Sequence, residues 1–216
     1  MRKVSLPFAF LLFILYSAYS GTVSTAAESA VEGIMFEDPL HKKLKDGWSW
    51  LRESSDDWRM TDKGLEIRME PLAGDDTRNI LFRKPPKENE GPFDVAVEVQ
   101  ALQPYTNQYQ QAGLYWMQDG KLKFKFVLER IDGELYVFPG KKPMKTEHVV
   151  LRLRINGTQV VGEYQPEATG EFLEAFEIQL PDRNDETDQI SLQCWQGPAD
   201  AKHWIRFQKF TIKKPR

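Results

Sequence analysis

Short runs in which apolar and polar residues alternate recur along most of this chain of 216 residues. In residues 148–155, for example, Leu151, Leu153 and Ile155 alternate with Arg152 and Arg154. A period of two places successive side chains on opposite faces of a strand. Asp-Gly or Asn-Gly dipeptides at 119–120, 132–133 and 156–157 separate several runs, and such dipeptides are typical of two-residue hairpin turns. The pattern predicts an all-β protein built from antiparallel strands.

The same alternation predicts individual strands and their grouping. No part of the chain alternates long helices with strands, which excludes a doubly wound α/β fold. Many short strands at even spacing favour a sandwich of two antiparallel sheets. Because no low-complexity linker divides them, one domain over residues 28–213 is predicted, with a short helix at 27–35. The predicted strands are 64–70, 80–83, 93–99, 109–118, 121–129, 134–138, 148–155, 158–164, 175–180, 190–195 and 204–212.

The first 27 residues have the pattern of a secretory signal peptide. Two basic residues at positions 2 and 3 precede sixteen almost wholly apolar residues, 4–19, and small residues follow. Cleavage after Ser20, Ala26 or Ala27 fits the small residues at the junction. An uncleaved membrane anchor is the alternative, but the apolar run contains a proline and is short for a span of about 20 residues. The signal predicts a secreted or periplasmic protein with no membrane attachment after cleavage.

Charge and composition narrow the function classes. Because two of the 29 basic residues lie in the first 27 positions, cleavage after Ala27 leaves 27 basic against 32 acidic residues, a net charge of −5. An acidic domain is a poor partner for nucleic acid, since phosphate contacts need a basic surface, and the basic tail 214–216 is too short to change this. One cysteine excludes an intramolecular disulfide framework and a cysteine-rich zinc site.

Several segments, taken in order, resemble one known superfamily. They are 46–50 (DGWSW), 64–67 (GLEI), 93–99 (FDVAVEV), 111–116 (QAGLYW), 122–129 (LKFKFVLE), 151–155 (LRLRI), 161–164 (VGEY), 190–195 (ISLQCW) and 207–212 (FQKFTI). Their order resembles the concanavalin A-like lectin/glucanase superfamily, and within it the secreted bacterial domains that also occur as C-terminal modules of β-xylosidase-type glycosidases. The resemblance implies a jelly-roll sandwich of two antiparallel sheets, one of them concave, in which the concave face or an edge groove often binds carbohydrate.

The resemblance does not extend to the catalytic and metal-binding motifs of the superfamily. The glucanase branch carries a strand of the form Glu-x-Asp-x-(x)-Glu, whereas Glu66 and Glu70 have no Asp between them here. The Asp/Asn/His loop by which legume-type lectins hold calcium and manganese has no counterpart. Acidic pairs such as Asp75 and Asp76 fall in loop-like segments, where solvated carboxylates are the ordinary case and weakly bound calcium is the alternative. We therefore predict no catalytic residue, no resident metal ion and no other cofactor.

Candidate ligand-binding residues come from the strand faces that oppose the predicted core. Tryptophan and tyrosine rings can stack on the apolar faces of sugars, and Tyr115, Trp195 and Trp204 are candidates for this role. Charged residues of two strands are expected to share one face, where positive neighbours would lower the pKa of Glu129 and keep it ionised. A solvated cross-strand charge ladder is the alternative. Four other tryptophans are assigned to packing: Trp48, Trp50, Trp58 and Trp116. The predicted ligand-binding residues are Gln111, Tyr115, Lys123, Lys125, Glu129, Arg152, Arg154, Gln193, Trp195 and Trp204.

The sequence thus predicts a secreted, noncatalytic, lectin-like domain that binds a polysaccharide or other glycan through a concave sheet face. A glycoside hydrolase on the same fold is one alternative, and it needs two carboxylates facing one cleft about 5–10 Å apart. A protein-interaction domain of the cell envelope is the other alternative. It predicts a flat apolar patch in place of an aromatic-lined groove.

Overall fold

The computed structural model describes residues 33–166 and 170–215, which form two antiparallel β-sheets joined by turns and short 3₁₀ segments. The prediction of an all-β jelly-roll sandwich of two antiparallel sheets is confirmed. The predicted signal peptide, residues 1–27, lies outside the described residues. Within 33–166 and 170–215, no helix has both the length and the apolar character needed to cross a bilayer.

The strands, in chain order, are β1 Ile34–Asp38, β2 Ser49–Leu51, β3 Trp58–Thr61, β4 Gly64–Met69, β5 Ile80–Arg83, β6 Phe93–Ala101, β7 Gln111–Gln118, β8 Lys121–Ile131, β9 Glu134–Phe138, β10 Lys142–Pro143, β11 His148–Asn156, β12 Gln159–Gln165, β13 Leu173–Gln179, β14 Gln189–Trp195 and β15 His203–Lys213.

The chain passes repeatedly between the two sheets, so neighbouring strands come from distant parts of the sequence. One sheet has eight strands in the order β13-β12-β11-β6-β15-β4-β3, with β1 pairing along the end of β15. The other has seven strands in the order β10-β9-β8-β7-β14-β5-β2. This topology places β8, β7 and β14 side by side in the middle of the seven-stranded sheet, although β14 lies some 60 residues further along the chain.

The inner faces of the two sheets meet in one apolar core. On β11, Leu151, Leu153 and Ile155 are buried against the facing sheet, as the alternation predicted. Gly113 on β7 is one point at which neighbouring chain segments approach closely. A Cβ atom at that position would lie 2.3 Å from the backbone oxygen of Phe126 and 2.9 Å from the side chain of Leu151. Glycine is therefore required at this point both beside β8 of the same sheet and against Leu151 of the facing sheet.

The tryptophans assigned to packing do pack. Trp116 is buried in the core. Trp48 meets Phe210 edge-on, with ring centroids 4.8 Å apart. Trp50 and Trp58 stack on each other, also at 4.8 Å, and so join edge strand β2 of one sheet to edge strand β3 of the other. These contacts cover the margin of the core, so four of the six tryptophans have a structural role.

The N-terminal end of the described chain is a strand and not the predicted helix. Ile34 pairs with Lys213 of β15, and the amide of Lys214 donates a hydrogen bond to the carbonyl of Gly33 at 2.7 Å. Phe36 packs on the core nearby. Ile34 and Phe36 pair with β15 on either side of an irregularity at Met35, and this pairing overrides the local helical pattern. The rest of the predicted helix, 27–32, lies outside the described residues.

A β-bulge interrupts the pairing of β7 with β8. Trp116 lies opposite Phe124 but the next residue, Met117, lies opposite Leu122, so Lys123 is the extra residue. Beyond a bulge the inside-outside alternation shifts by one position. Leu122, which the alternation assigned to the core, is consequently 38% exposed.

Candidate functional site

The outer face of the seven-stranded sheet brings together six of the ten predicted ligand-binding residues. Gln111 of β7 lies directly opposite Glu129 of β8 on one side and Trp195 of β14 on the other. Directly opposed residues of antiparallel strands project on the same face. Tyr115 is likewise opposite Lys125. Gln193 lies two residues before Trp195 on β14 and so projects on that face as well.

An aromatic pair forms one half of this face. The rings of Trp195 and Tyr115 stack with centroids 5.1 Å apart and planes inclined by 30°. The indole nitrogen of Trp195 donates to the side-chain oxygen of Gln193 at 3.0 Å, and Gln193 in turn donates to Ser191 at 2.8 Å. Trp195 is partly exposed, whereas Tyr115 is only 1% exposed. Tyr115 therefore supports Trp195 from below, and its predicted role as a separate stacking surface is wrong because its ring is already covered.

A buried polar network forms the other half. Lys125 Nζ donates to both carboxylate oxygens of Glu129, at 3.2 and 3.0 Å, and to the side-chain oxygen of Gln111 at 2.9 Å. Gln111 Nε2 donates to Glu129 Oε1 at 3.1 Å, and the Tyr115 hydroxyl donates to Gln111 Oε1 at 3.3 Å. Glu129 is 3% exposed, while the side chain of Lys125 is 22% exposed. The network therefore holds a buried carboxylate and a more accessible ammonium in fixed positions.

The ionisation of Glu129 differs from the expectation from sequence. Burial raises the pKa of this carboxyl group, and the hydrogen bond and charge of Lys125 only partly offset that rise. The sequence predicted a lowered pKa because it placed two arginines beside Glu129 as well as Lys125. The arginines lie in the other sheet, so of these three basic groups only the ammonium of Lys125 lowers the pKa of Glu129 against the rise that burial causes. The same burial raises the pKa of the Tyr115 phenol well above its ordinary value.

A cavity of about 530 Å³ opens over these residues. Its size falls within the range of small-ligand sites. We call it the Trp195 cavity, and its lining residues are Ala73, Tyr109, Gln111, Lys125, Glu129, Ile131, Phe138, Lys141, Trp195 and Gln196.

Several of the lining residues were not predicted as ligand-binding residues. Tyr109 is 54% exposed and comes from the glutamine-rich loop before β7. Phe138 ends β9, and the ammonium of Lys125 lies 4.8 Å from its ring centroid. Phe138 alternates with the buried Val137 and so lies on the outer face, and the pairing of β9 with β8 places it beside Lys125.

The four other predicted ligand-binding residues lie away from this cavity. Arg152 and Arg154 are on β11 of the eight-stranded sheet, where Arg152 lies opposite Glu163 and contacts its carboxylate at 2.6 Å. The prediction that these arginines share a face with Lys125 is wrong, and the alternative, a cross-strand charge ladder, describes them.

Trp204 and Lys123 are also separated from the Trp195 cavity. Trp204 is on β15 of the eight-stranded sheet, beneath the guanidinium of Arg59, which lies 4.2 Å from its ring centroid. Lys123 is the bulged residue of β8, exposed and six positions from Glu129, a separation of roughly 20 Å on an extended strand. A ligand held in the Trp195 cavity would therefore contact neither side chain directly.

Among the residues that the structure describes, no group of three or more His, Cys, Asp and Glu side chains is arranged to hold a metal ion. The single cysteine, Cys194, is buried in the core, where burial raises the pKa of its thiol far above the ordinary range. A thiol in this environment behaves as a small apolar side chain.

Solved structures with a similar fold include parts of glycosidases, whereas no protein-family model and no curated protein sequence matches the chain. The Bacteroides ovatus xyloglucan PUL protein GH43B matches with a TM-score of 0.65 at 15% identity, over 82% of this chain and 38% of that chain. A xylan β-1,4-xylosidase from Bacillus halodurans C-125 matches with a TM-score of 0.60 at 16% identity, over 82% of this chain and 39% of that chain.

A third structure comes from work on endo-acting O-glycanases of the human gut microbiota. It matches with a TM-score of 0.55 at 11% identity, over 85% of this chain and 100% of that chain. This chain spans less than two fifths of the first two proteins. The predicted resemblance to the concanavalin A-like superfamily, and to β-xylosidase-type glycosidases within it, is confirmed for the fold.

Proposed function

We propose that this chain is a secreted, noncatalytic carbohydrate-binding domain that holds a glycan in the Trp195 cavity. The observation that carries the proposal is the juxtaposition of a partly exposed, supported tryptophan ring with a fixed array of polar groups on one sheet face. A sugar ring has apolar C–H faces and a polar hydroxyl edge. The indole of Trp195 suits the apolar face. The ammonium of Lys125 is the more accessible member of the polar network, and Glu129 Oε2 accepts a hydrogen bond from Lys125 alone among the described residues, so it keeps capacity for a hydroxyl of the sugar edge.

The character of the proteins with similar folds supports a glycan as the ligand. They include the xyloglucan PUL protein GH43B, a xylan β-1,4-xylosidase and a structure from work on O-glycanases that initiate mucin breakdown. Because the identities are 11–16%, these neighbours support the ligand class and not a particular sugar.

The composition of the cavity favours binding over hydrolysis. Ordinary glycoside hydrolysis uses two carboxyl groups on either side of the scissile bond. Within the described part of the chain, Glu129 is the one carboxylate among the residues that line the Trp195 cavity. It is also ion-paired with Lys125 and hydrogen-bonded to Gln111, which suits a fixed acceptor of hydroxyl hydrogen bonds.

Affinity electrophoresis of the mature chain, residues 28–216, tests the proposal. The gels contain xylan, xyloglucan or mucin, with a polysaccharide-free gel as reference. We expect at least one glycan to retard the protein. Trp195→Ala should abolish the retardation, whereas Trp195→Phe should retain part of it, because a smaller ring still offers an apolar face.

Trp204→Ala is the matched control, because it removes a tryptophan from the opposite sheet. It should migrate like the wild type in every gel, and thermal melting should establish that both alanine variants are folded. Equal migration of the Trp195→Ala and wild-type proteins in a retarding gel would refute the site. Absence of retardation in all three glycan gels would refute the proposed function and favour the protein-interaction alternative.

A further inference from the structure

We propose that the glycan continues past the Trp195 cavity, across a backbone ridge, into a second cavity where Arg78 and Arg68 bind hydroxyl groups of a further neutral sugar unit. The ligand would then be an oligosaccharide or polymer and not a single terminal sugar. This inference rests on the proposed carbohydrate binding at Trp195, and it adds a second contact region with different chemistry.

The two cavities share one wall. Ala73 and Gln196 line the Trp195 cavity, and the adjacent Leu72 lines the second one, together with Pro198 two positions beyond Gln196. Residues one or two positions apart in a chain lie within about 7 Å of each other. The two cavities therefore lie on either side of the same pair of backbone segments.

The wall is a ridge that two hydrogen-bonded backbone segments form. The amide of Gln196 donates to the carbonyl of Leu72 at 3.1 Å, and the amide of Gly197 donates to the carbonyl of Glu70 at 2.8 Å. A Cβ at Gly197 would lie 2.0 Å from the backbone oxygen of Met69, so only glycine permits this close approach. The ridge is consequently fixed in shape.

The second cavity, of about 460 Å³, is polar and contains positioned hydrogen-bond donors. We call it the Arg78 cavity. Its Glu70 is 7% exposed and accepts hydrogen bonds from Arg78 Nε at 2.9 Å, from Arg78 Nη2 and from Arg68 Nη2 at 3.3 Å. A guanidinium group has five N–H donors, so each arginine keeps further donors after contacting Glu70. The side chains of Arg78 and Arg68 are 45% and 28% exposed, which leaves donors accessible to a ligand.

Charge balance indicates a neutral ligand. Arg68 is also paired with the buried carboxylate of Asp57 at 2.8 Å. The remaining charged lining residues, Lys202 and Asp200, have opposite signs, so the cations and carboxylates in and behind the cavity are equal in number. A phosphate or sulfate group would need an excess of positive charge. Hydroxyl groups need only fixed donors and acceptors, which this cavity provides.

Two variants of the mature chain test the second cavity by different means. Arg78→Met removes the accessible donors. Ala199→Trp places a bulky side chain at an exposed lining position and leaves every ion pair of the cavity intact. Affinity electrophoresis in the glycan gel that retards the wild type gives the dissociation constant of each protein. We expect each variant to bind the polymer about tenfold more weakly, which corresponds to about 1.4 kcal/mol.

Arg154→Met is the matched control, because it removes an ion-paired, half-exposed arginine from β11, which lies three strands away from β4 and Arg68 in the eight-stranded sheet. It should bind as the wild type does. If Trp195→Ala abolishes retardation while Ala199→Trp binds within twofold of the wild type, the second cavity is refuted and the proposed function stands. If Arg78→Met weakens binding only because the variant is unfolded, the dissociation constant of Ala199→Trp still tests the second cavity, because that variant keeps the ion pairs of the cavity. If no glycan gel retards the wild type, both proposals are refuted together.

Discussion

Replacing Lys125 with methionine removes an ammonium group that is hydrogen-bonded to both oxygens of the buried carboxylate of Glu129. Methionine has a similar length, so the change chiefly deletes the charge and the donors. Glu129, at 3% exposure, would be left with Gln111 Nε2 as its hydrogen-bond donor in the network. A buried carboxylate that loses its cation carries an uncompensated desolvation penalty.

The expected loss is about 3 kcal/mol of unfolding free energy at neutral pH, the lower end of the range for breaking a buried ion pair. We take the lower end because the side chain of Lys125 is itself 22% exposed. Glu129→Gln is the matched variant. It removes the carboxylate charge, and water can then solvate the more accessible ammonium of Lys125. We expect Glu129→Gln to cost about 1 kcal/mol, the value of an ordinary hydrogen-bond change.

The pH dependence follows from the raised pKa of Glu129. A carboxyl group with a higher pKa in the folded state than in the unfolded state favours folding when it is protonated. That contribution is complete below the unfolded pKa and is lost as the pH rises through the folded pKa. Lys125→Met removes the hydrogen bond and charge that lower the pKa, so the folded pKa rises further and more stability is lost at neutral pH. The stability deficit of this variant should therefore shrink as the pH falls.

Urea unfolding followed by tryptophan fluorescence at pH 7.5 and pH 5 measures these differences. The six tryptophans provide the signal, and unchanged m-values would show that the transitions are comparable. We expect a larger loss of unfolding free energy for Lys125→Met than for Glu129→Gln at pH 7.5, and a smaller difference between the two variants at pH 5. Equal deficits, or a Lys125→Met deficit that does not depend on pH, would contradict it.

Three further predictions concern the core and the loop beside the site. Gly113→Ala should cost about 3 kcal/mol by overpacking against the backbone oxygen of Phe126, whereas Gly170→Ala, with open space around it, should melt within about 2 °C of the wild type. Burial lowers the pKa of His203, so the unfolded state binds a proton on this side chain more readily than the folded state does. The free energy of unfolding should therefore fall as the pH drops below about 6.5. In urea titrations, His203→Gln should make that fall smaller. Cys194 should resist a thiol-reactive dye in the native protein and react fully in denaturant.

Local alternation was sufficient to predict most strands and the direction in which their side chains point. The observed β5 and β9 have the predicted bounds. The side chain of Trp195 on β14 points to the outer face of its sheet, as the pattern indicated. The short edge strands β2, β3 and β10 were missed, because two to four residues are too few to reveal a period. Their position depends on pairing with distant strands.

The candidate site was only partly predictable because alternation assigns a face and not a sheet. Arg152 and Lys125 both alternate against core residues, yet β11 and β8 belong to different sheets. The position of Lys123 was predicted wrongly because β8 has a bulge at this residue, and the sequence contains no signal for that bulge. The burial of Tyr115 likewise depends on a stacking partner 80 positions away, and such a contact exists only after the strands have assembled.

The support beneath Trp195 has a consequence for the entropy of binding. Its ring lies on Tyr115 and its indole nitrogen is hydrogen-bonded to Gln193, so two contacts select one rotamer before any ligand arrives. Immobilising a free side chain on association costs about 0.5–1.5 kcal/mol, and this preorganised ring avoids most of that cost. Tyr115→Ala should therefore weaken glycan binding through a more unfavourable binding entropy, even though Tyr115 itself contacts no ligand.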